Sequence, residues 1–431
     1  MARLAWMGDR ASEAPCGGDT VRSRRSGRGR IGGVLSGLLL LALTACGQTV
    51  QERQASPQQT VAPIRTVAPI GAAGPALSIT DRLGRPVNPD AIRVGLLLPL
   101  SGEAGQLGQQ MRQAAEMAVL DIGTPNFQLL PRDTGGTVDG ARRAAQSVID
   151  DGAQLILGPL FSQNVRAVAE VARPRNVNVV AFTTDETVAG DNALVMGFVP
   201  AAQVDRVVEY TTRQGIGRFA VLAPDTPYGN AVAEATRDAV RERGASLVDQ
   251  VMYNPNGTEF SDEVERLSAA GGIQAVMLPD TGLRLRTVAP LLPYYGLRDA
   301  HIIGTGLWDG GNVGVERAMR GAWFASPQPD LRADFERRYE ANFGEAPPRL
   351  ATLPYDAVAM AAVLSQIPER ANYSMASLAD PDGFAGIDGI FRFGSDNVVE
   401  RGLAVLEVTE DGVRVVEAVV GHQVVARPHG R

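Results

Sequence analysis

Lysine, histidine and cysteine, which often act as nucleophiles or acid–base groups, are absent or rare in this sequence. None of its 41 basic residues is a lysine, which excludes a P-loop lysine, a Schiff base and a lysine general base. The histidines are His301, His422 and His429, and the last two lie near the C-terminus. A serine or cysteine triad would depend on His301, which begins the strand-like segment HIIGTG. We therefore expect no catalytic residues and a protein that is not an enzyme.

Metal, cofactor and nucleic-acid binding are also not predicted. Cys16 and Cys46 are the only cysteines and form no CxxC pair, so a His/Cys metal cluster is implausible. Seven of the 41 basic residues and three of the 48 acidic residues lie in residues 1–45, and the remainder carries a net charge of −11. An acidic chain without a basic stripe interleaved with aromatic residues is not typical of a nucleic-acid-binding protein.

The N-terminal segment has the order of features of an export signal. The arginine-rich stretch RSRRSGRGR precedes an apolar run of about 15 residues, shorter than the roughly 20 that span a bilayer. The run ends in Leu43-Thr44-Ala45-Cys46. This resembles the lipobox of bacterial lipoproteins, whose acylated cysteine becomes the mature N-terminus. We interpret residues 1–45 as a signal peptide, with an over-long start as an open alternative. Cys46 is the expected lipidation site and membrane anchor.

Residues 46–90 are predicted to be a lipidated N-terminus followed by a flexible tether. They are rich in Gln, Pro and Thr, contain TVAPI twice, and lack the apolar periodicity of a folded core. Gly47 follows the cysteine. In proteobacterial lipoproteins an Asp at that position marks retention in the inner membrane. The resemblance therefore favours the periplasmic (inner) leaflet of the outer membrane.

The segments that must position any functional side chain alternate between apolar runs and helical patterns. Continuous runs such as IRVGLLLPL indicate strands covered on both faces. Two series of such units, split near Val199–Gln203, predict an α/β fold with two doubly wound, Rossmann-like lobes. A β pattern with a turn at Glu410–Gly412 closes the chain. The helices are expected at Asp139–Asp150, Asn164–Ala172, Ala231–Arg243, Glu259–Ala269, Leu283–Leu292, Arg332–Phe343 and Leu353–Leu364, after a first one carrying Leu107, Met111, Ala115 and Val119 on one face.

Six segments in this order resemble the type I periplasmic solute-binding fold of leucine/isoleucine/valine-binding proteins. They read VGLLLPLSGEAGQLGQQMRQAAEMAV, LILGPLFSQNV, VVAFTTDE, APDTPYGNAVAE, PYDAVAMAA and GIDGIFRFGSDN. In that family the chain crosses between the lobes three times. The resemblance therefore implies a first lobe of residues 91–200 plus 326–385 and a second lobe of residues 201–325 plus 386–425.

The resemblance also implies a ligand crevice at the carboxyl ends of the strands. The residues it places there are Ser101, Leu107, Ser162, Thr183, Thr184, Asp185, Asp225, Tyr228 and Asp280. Two positions depart from the amino-acid-binding pattern. Leu107 stands where the family usually carries an aromatic residue, and Asp185 and Glu186 lie where a ligand carboxylate would be received. If these acids face the crevice, like-charge repulsion disfavours that ligand.

A closer resemblance concerns penicillin-binding protein activators, which are outer-membrane lipoproteins with this fold in their C-terminal domain. It is carried by the lipobox, the segment LLLPLSG and Gly158–Val165. It implies contact with a class A penicillin-binding protein and regulation of peptidoglycan synthesis. Better-known members carry a helical-repeat domain where this sequence has only the tether. The alternative is a receptor that delivers a branched-chain amino acid or related small polar ligand to an ABC permease.

Overall fold

Continuous apolar segments form parallel strands at the centre of the first lobe. A computed structural model describes residues 90–310 and 313–419, so the predicted signal peptide, Cys46 and nearly all of the tether lie outside the described residues. β1 (Ile92–Leu98) is buried from Val94 onward. Helices on both faces of a parallel sheet explain this burial. Its sheet has the order β2-β1-β3-β4-β5, completed by β2 (Phe127–Asp133), β3 (Leu155–Leu157), β4 (Asn178–Ala181) and β5 (Ala193–Val195).

Three helices connect these strands: α1 (Gly105–Ile122), α2 (Val138–Asp150) and α3 (Ser162–Ala172). Thr137 caps α2, because its hydroxyl oxygen accepts a hydrogen bond from the backbone N–H of Gly140 at 3.1 Å. α2 approaches the sheet closely at Gly95, where an added Cβ would lie 2.8 Å from Cγ2 of Val148. A glycine in β1 thus lets the helix pack directly against the strand.

The second lobe is built from a second series of parallel strands. They are β6 (Arg218–Pro224), β7 (Ser246–Tyr253), β8 (Ala275–Met277), β9 (His301–Thr305) and β10 (Trp323–Ser326). The helices are α4 (Pro200–Arg213), α5 (Pro227–Glu242), α6 (Ser261–Ala269), α7 (Gly282–Val288) and α8 (Leu291–Tyr294). The single helix expected over Leu283–Leu292 is wrong. The chain breaks between α7 and α8 at Pro290, which has no backbone N–H to continue the hydrogen-bond ladder.

The chain then returns to the first lobe. This stretch contains α9 (Ala333–Phe343), α10 (Thr352–Ser365), α11 (Met375–Leu378) and the antiparallel strands β11 (Phe384–Gly386), β12 (Gly389–Phe393) and β13 (Val399–Arg401). Phe391, Phe393 and Val399 pack in the same apolar core as Leu97 of β1. The predicted return to the second lobe at residue 386 is therefore wrong, because β12 and β13 bury their apolar side chains in the first lobe.

Two further strands, β14 (Ala404–Thr409) and β15 (Gly412–Glu417), complete the second sheet. Within the described ranges its order is β15-β14-β10-β9-β8-β6-β7, with β14 antiparallel to β10. The chain thus crosses between the lobes after β5, after β10 and after β13. The predicted α/β architecture of two doubly wound lobes with three crossings is confirmed. In this part of the chain no helix is long and apolar enough to cross a membrane.

Candidate ligand crevice and hinge

The predicted crevice residues lie where strands end. Ser101 follows β1, Ser162 begins α3 after β3, and Thr183 to Asp185 follow β4. In the second lobe Asp225 and Tyr228 follow β6, and Asp280 follows β8. Leu107 lies in α1 and packs against the core of the first lobe. The first two crossings leave from the carboxyl ends of β5 and β10, so these are the sheet edges at which the predicted crevice would lie.

Ser101 is held by a carboxylate that the sequence did not suggest. The hydroxyl of Ser101 donates to Oδ2 of Asp133, at the end of β2, over 2.5 Å. Oδ1 of Asp133 accepts hydrogen bonds from the backbone N–H groups of Leu100 at 2.8 Å, Ser101 at 3.2 Å and Gly135 at 2.7 Å. The donors of the loop after β1 therefore converge on a carboxylate of the protein itself.

Asp133 is stabilised in its ionised form. Burial alone would raise its pKa, but the hydrogen bonds from Ser101, Gly135 and Leu100 outweigh that effect, and the pKa of Asp133 is lowered. An ionised carboxylate in this loop places a fixed negative charge at the carboxyl end of the first sheet. The hydrogen-bond donors of the loop after β1, which could bind an anion, are therefore already bound to the Asp133 carboxylate.

The loop after β4 is organised by its own side chains. Thr183 is buried, and its hydroxyl oxygen accepts the backbone N–H of Asp185 at 3.1 Å. Oδ1 of Asp185 caps the short 3₁₀ turn Glu186–Val188 by accepting the backbone N–H of Thr187 at 3.0 Å and its hydroxyl at 2.7 Å. The Asp185 carboxylate therefore has a structural role as a cap, beside the half-buried Thr184.

The loop after β6 leads into a capped helix. Thr226 caps α5 by accepting the backbone N–H of Gly229 at 3.0 Å, and Asn230 donates to Oδ1 of Asp225 at 2.9 Å. The hydroxyl of Tyr228 donates to Oγ1 of Thr305, at the end of β9, over 2.9 Å. Burial raises the pKa of Tyr228 to about 12, so this hydroxyl stays protonated and links the first turn of α5 to the end of β9.

Asp280 is buried and fully engaged by neighbours in the second lobe. Arg284 binds its carboxylate through two nitrogens, at 2.8 and 3.0 Å. The hydroxyl of Tyr253 donates to Oδ2 at 2.6 Å, and the backbone N–H of Thr281 donates to Oδ1 at 2.7 Å. Trp308 donates its indole N–H to the Asp280 carbonyl at 2.9 Å. The contacts of Asp280 therefore join the carboxyl ends of β7, β8 and β9 inside the second lobe.

A second set of polar side chains, which the sequence did not reveal, lies where the chain crosses between the lobes. We call it the hinge cluster and define it as Asp309, Arg332, Arg349, Asp356, Asp388 and Arg401. Apart from the partly buried Arg349, its members are buried. Burial alone would raise the pKa of Asp388, but Arg349 and Arg401 outweigh it and the pKa is lowered. The cluster thus contains paired charges in the interior.

In residues 90–310 and 313–419 no metal site is evident, and His301, the histidine of this part of the chain, packs against Trp323 of the second lobe. No group of histidine, cysteine and acidic side chains there could hold a metal ion. The ring of His301 lies against Trp323, with centroids 3.5 Å apart, and burial lowers the pKa of His301 to about 4. A neutral, covered imidazole at the start of β9 fits a structural role, at the opposite end of the strand from the crevice.

Comparison with known proteins agrees with this geometry. The penicillin-binding protein activator LpoA of Haemophilus ducreyi is 24% identical over 329 residues, which cover 73% of this chain and 53% of that protein. The Leu/Ile/Val-binding protein homolog 3 of Brucella melitensis is 25% identical over 191 residues, covering 42% of this chain and 52% of that protein. The chain thus spans about half the length of these two relatives.

Solved structures show the same fold. An ABC transporter substrate-binding protein from Sphaerobacter thermophilus superposes with a TM-score of 0.66 at 19% identity, covering 78% of this chain and 99% of that one. The sequence profile of the periplasmic binding protein family matches residues 91–413. This range includes both lobes and all three crossings. The chain belongs to the periplasmic binding protein family.

Proposed function

We propose that this protein is a lipid-anchored periplasmic module that regulates peptidoglycan synthesis by contacting a class A penicillin-binding protein. Its similarity to the activator of Haemophilus ducreyi extends over most of the two lobes. The observation that carries the proposal is the set of four hydrogen bonds that the Asp133 carboxylate accepts. Three come from Leu100 and Ser101 in the loop after β1, and one comes from Gly135. A crevice paired internally is suited to a protein partner rather than to a free amino acid.

An amino acid in a closed crevice needs donors for its carboxylate and an acid for its ammonium group. In the first lobe, the N–H and hydroxyl donors after β1 are directed at Asp133. In the second lobe, the carboxylate of Asp280 is neutralised by Arg284. An entering amino acid would have to displace an internal ion pair or hydrogen bond for each of its charges. Each displacement leaves a polar group without its partner, which disfavours binding.

The anchor and tether complete the proposal. Acylation of Cys46 would fix the protein to the outer membrane, since each buried CH₂ group contributes about 0.8 kcal/mol of membrane affinity. The 43 residues from Gly47 to Pro89 would span roughly 35–40 Å as a flexible coil. That reach would carry the lobes toward the peptidoglycan layer, where a synthase of the inner membrane acts.

Crosslinking in intact cell envelopes tests this function. We expect an affinity-tagged full-length protein to co-purify with a class A penicillin-binding protein after crosslinking. The control is a leucine-binding protein of this fold with the same tag. It shows whether any protein with these two lobes would capture the synthase. Recovery of an ABC permease instead of any synthase would contradict the proposal.

A solute receptor is the second candidate. It is supported by the similarity to the Leu/Ile/Val-binding protein homolog of Brucella melitensis and by the hydroxyls of Ser162 and Thr184, which lie at strand ends and are only half-buried. Thermal unfolding with leucine, isoleucine or valine separates the two functions. A micromolar site would stabilise the protein by about 4 kcal/mol at a thousandfold excess of ligand. We expect no shift, and a clear shift would favour the receptor.

A further inference from the structure

Asp309 connects the two lobes through its carboxylate. It follows β9 in the second lobe, directly after Trp308, which is fully buried in the core of that lobe. Its Oδ2 accepts hydrogen bonds from Nη1 of Arg332 at 2.9 Å and from Nε of Arg349 at 2.8 Å, and Arg332 also binds Oδ1 through Nη2. The hydroxyl of Ser326, at the end of β10, donates to Oδ2 at 2.6 Å. One carboxylate therefore holds two guanidinium groups.

Both arginines belong to the first lobe. Arg332 precedes α9, whose Phe335 and Tyr339 pack against Ala114 and Met117 of α1. Arg349 precedes α10, whose buried face lies in the core of the first lobe. Each contact with Asp309 therefore joins the lobes.

Arg349 is fixed on the side of the first lobe as well. Its Nη1 and Nη2 donate to the two oxygens of Asp388 at 3.1 and 2.9 Å. Asp388 is held in turn by the hydroxyl of Thr352 at 2.6 Å. Because the guanidinium lies between two carboxylates on different lobes, rotation of one lobe relative to the other would have to break one of these pairs.

The other crossings pass through the same cluster. Phe198, on the first crossing, lies under the guanidinium of Arg349, whose carbon is 4.1 Å from the ring centroid. Arg401, just before the third crossing, donates to the carbonyl oxygen of Met196 at 3.2 Å and lies 5.4 Å from the same ring centroid. All three crossings therefore contact the hinge cluster directly or through Phe198.

We propose that the Asp309–Arg332–Arg349 contacts are an interlobe latch that fixes the angle between the lobes, so that the width of the crevice is set by the protein and not by a ligand. Two-lobed proteins of this kind close by bending at such crossings. Here the Asp309 carboxylate is 1% exposed. Separating it from its partners leaves buried charges without compensation, which strongly disfavours other lobe angles. This inference does not depend on which partner the protein binds.

The distance between the lobes can be measured by double electron–electron resonance on the full chain. Cys16→Ser and Cys46→Ser remove both native cysteines. Arg143→Cys on α2 and Glu234→Cys on α5 then place one spin label on each lobe, at exposed helical positions. We expect a single narrow distance distribution with the native hinge, unchanged by added leucine.

Asp309→Asn is expected to broaden the distribution. The control is Asp334→Asn, an identical change in an exposed ion pair of α9 with Arg337, which is expected to leave the distribution narrow. Should Asp309→Asn fail to fold, the charge-balanced variant Asp309→Asn/Arg332→Gln removes the contact without leaving a net buried charge. A broad or two-peaked distribution with the native hinge, or a folded Asp309 variant as narrow as the control, would overturn the latch. Failure of the latch would not contradict the proposed function, because binding to the synthase is measured in a separate experiment.

Discussion

Replacing Asp356 by asparagine should change how the stability of the protein depends on pH. Asp356 lies in α10 and its carboxyl group is buried. Oδ1 accepts the backbone N–H of Ile387 at 2.7 Å, whereas Oδ2 lies 3.8 Å from Nη1 of Arg401, too far for a hydrogen bond. Burial raises the pKa of Asp356 to about 7. Arg401 lowers it in part, and the charge on Asp388 raises it.

The sign of the effect follows from proton binding. The native state keeps the Asp356 proton up to a pH of about 7, whereas the unfolded chain releases it near 3.8, the ordinary pKa of an aspartate. The stabilisation is complete below that lower value and is lost as the pH rises through the native pKa. At about 1.36 kcal/mol per pH unit, the loss between pH 5 and pH 8 is about 3 kcal/mol. Asp356→Asn keeps the acceptor for Ile387 but has no proton to release.

Urea unfolding at pH 5 and pH 8 measures this difference. We expect the stability of Asp356→Asn relative to the native protein to increase by about 3 kcal/mol from pH 5 to pH 8, which is the free energy of that proton. Asp334→Asn, at an exposed site, controls for the general effect of losing a carboxylate. If the relative stability of Asp356→Asn is the same at both pH values, Asp356 is already ionised at pH 5 and the reasoning from burial is wrong.

Three further outcomes are expected. Cys46→Ser should abolish metabolic labelling with palmitate, because the acyl chains are attached to that sulfur, and label that persists would refute the anchor. Gly197→Ala should lower the free energy of unfolding in urea by about 1–3 kcal/mol or more, since the new Cβ would lie 2.0 Å from the carbonyl oxygen of Thr183. Gly217→Ala, with no atom within 4 Å, is its control, and equal effects of the two changes would argue against the clash. Deleting most of residues 47–89 should abolish synthase activation in cells at an unchanged melting temperature, and full activation would argue against a need for reach.

The α/β architecture could be predicted because its signals are local. A continuous apolar run such as that of β1 indicates a covered parallel strand whatever surrounds it. α4 was not predicted, although Val204, Val207 and Val208 follow helical spacing and are buried. β5 was not predicted either, because its three residues are too few to show a periodic pattern.

The wrong lobe boundary has a physical reason. Phe391 and Phe393 of β12 alternate with Arg392, which indicates a strand with one buried face. Alternation does not tell which of two apolar cores receives that face. Only the tertiary structure shows that both phenylalanines pack in the first lobe.

The positions of the predicted crevice residues after strands could be predicted from sequence, but their internal pairing could not. Ser101 follows β1 and Asp280 follows β8, as the apolar runs indicate. The partner of Ser101 is Asp133, 32 residues away, and Arg349 is 40 residues from Asp309. Such pairs depend on how distant loops meet, and neither carries a sequence motif. The hinge cluster was missed for the same reason.

The rate of a class A penicillin-binding protein tests the proposed function most directly. Protein lacking residues 1–45 and carrying Cys46→Ser, added to a purified class A synthase of the same organism, should bind it and increase its glycan polymerisation or crosslinking rate. An equal concentration of a leucine-binding protein of the same fold should not. If every class A synthase of that organism remains unbound and unaccelerated, the protein does not regulate peptidoglycan synthesis by this contact.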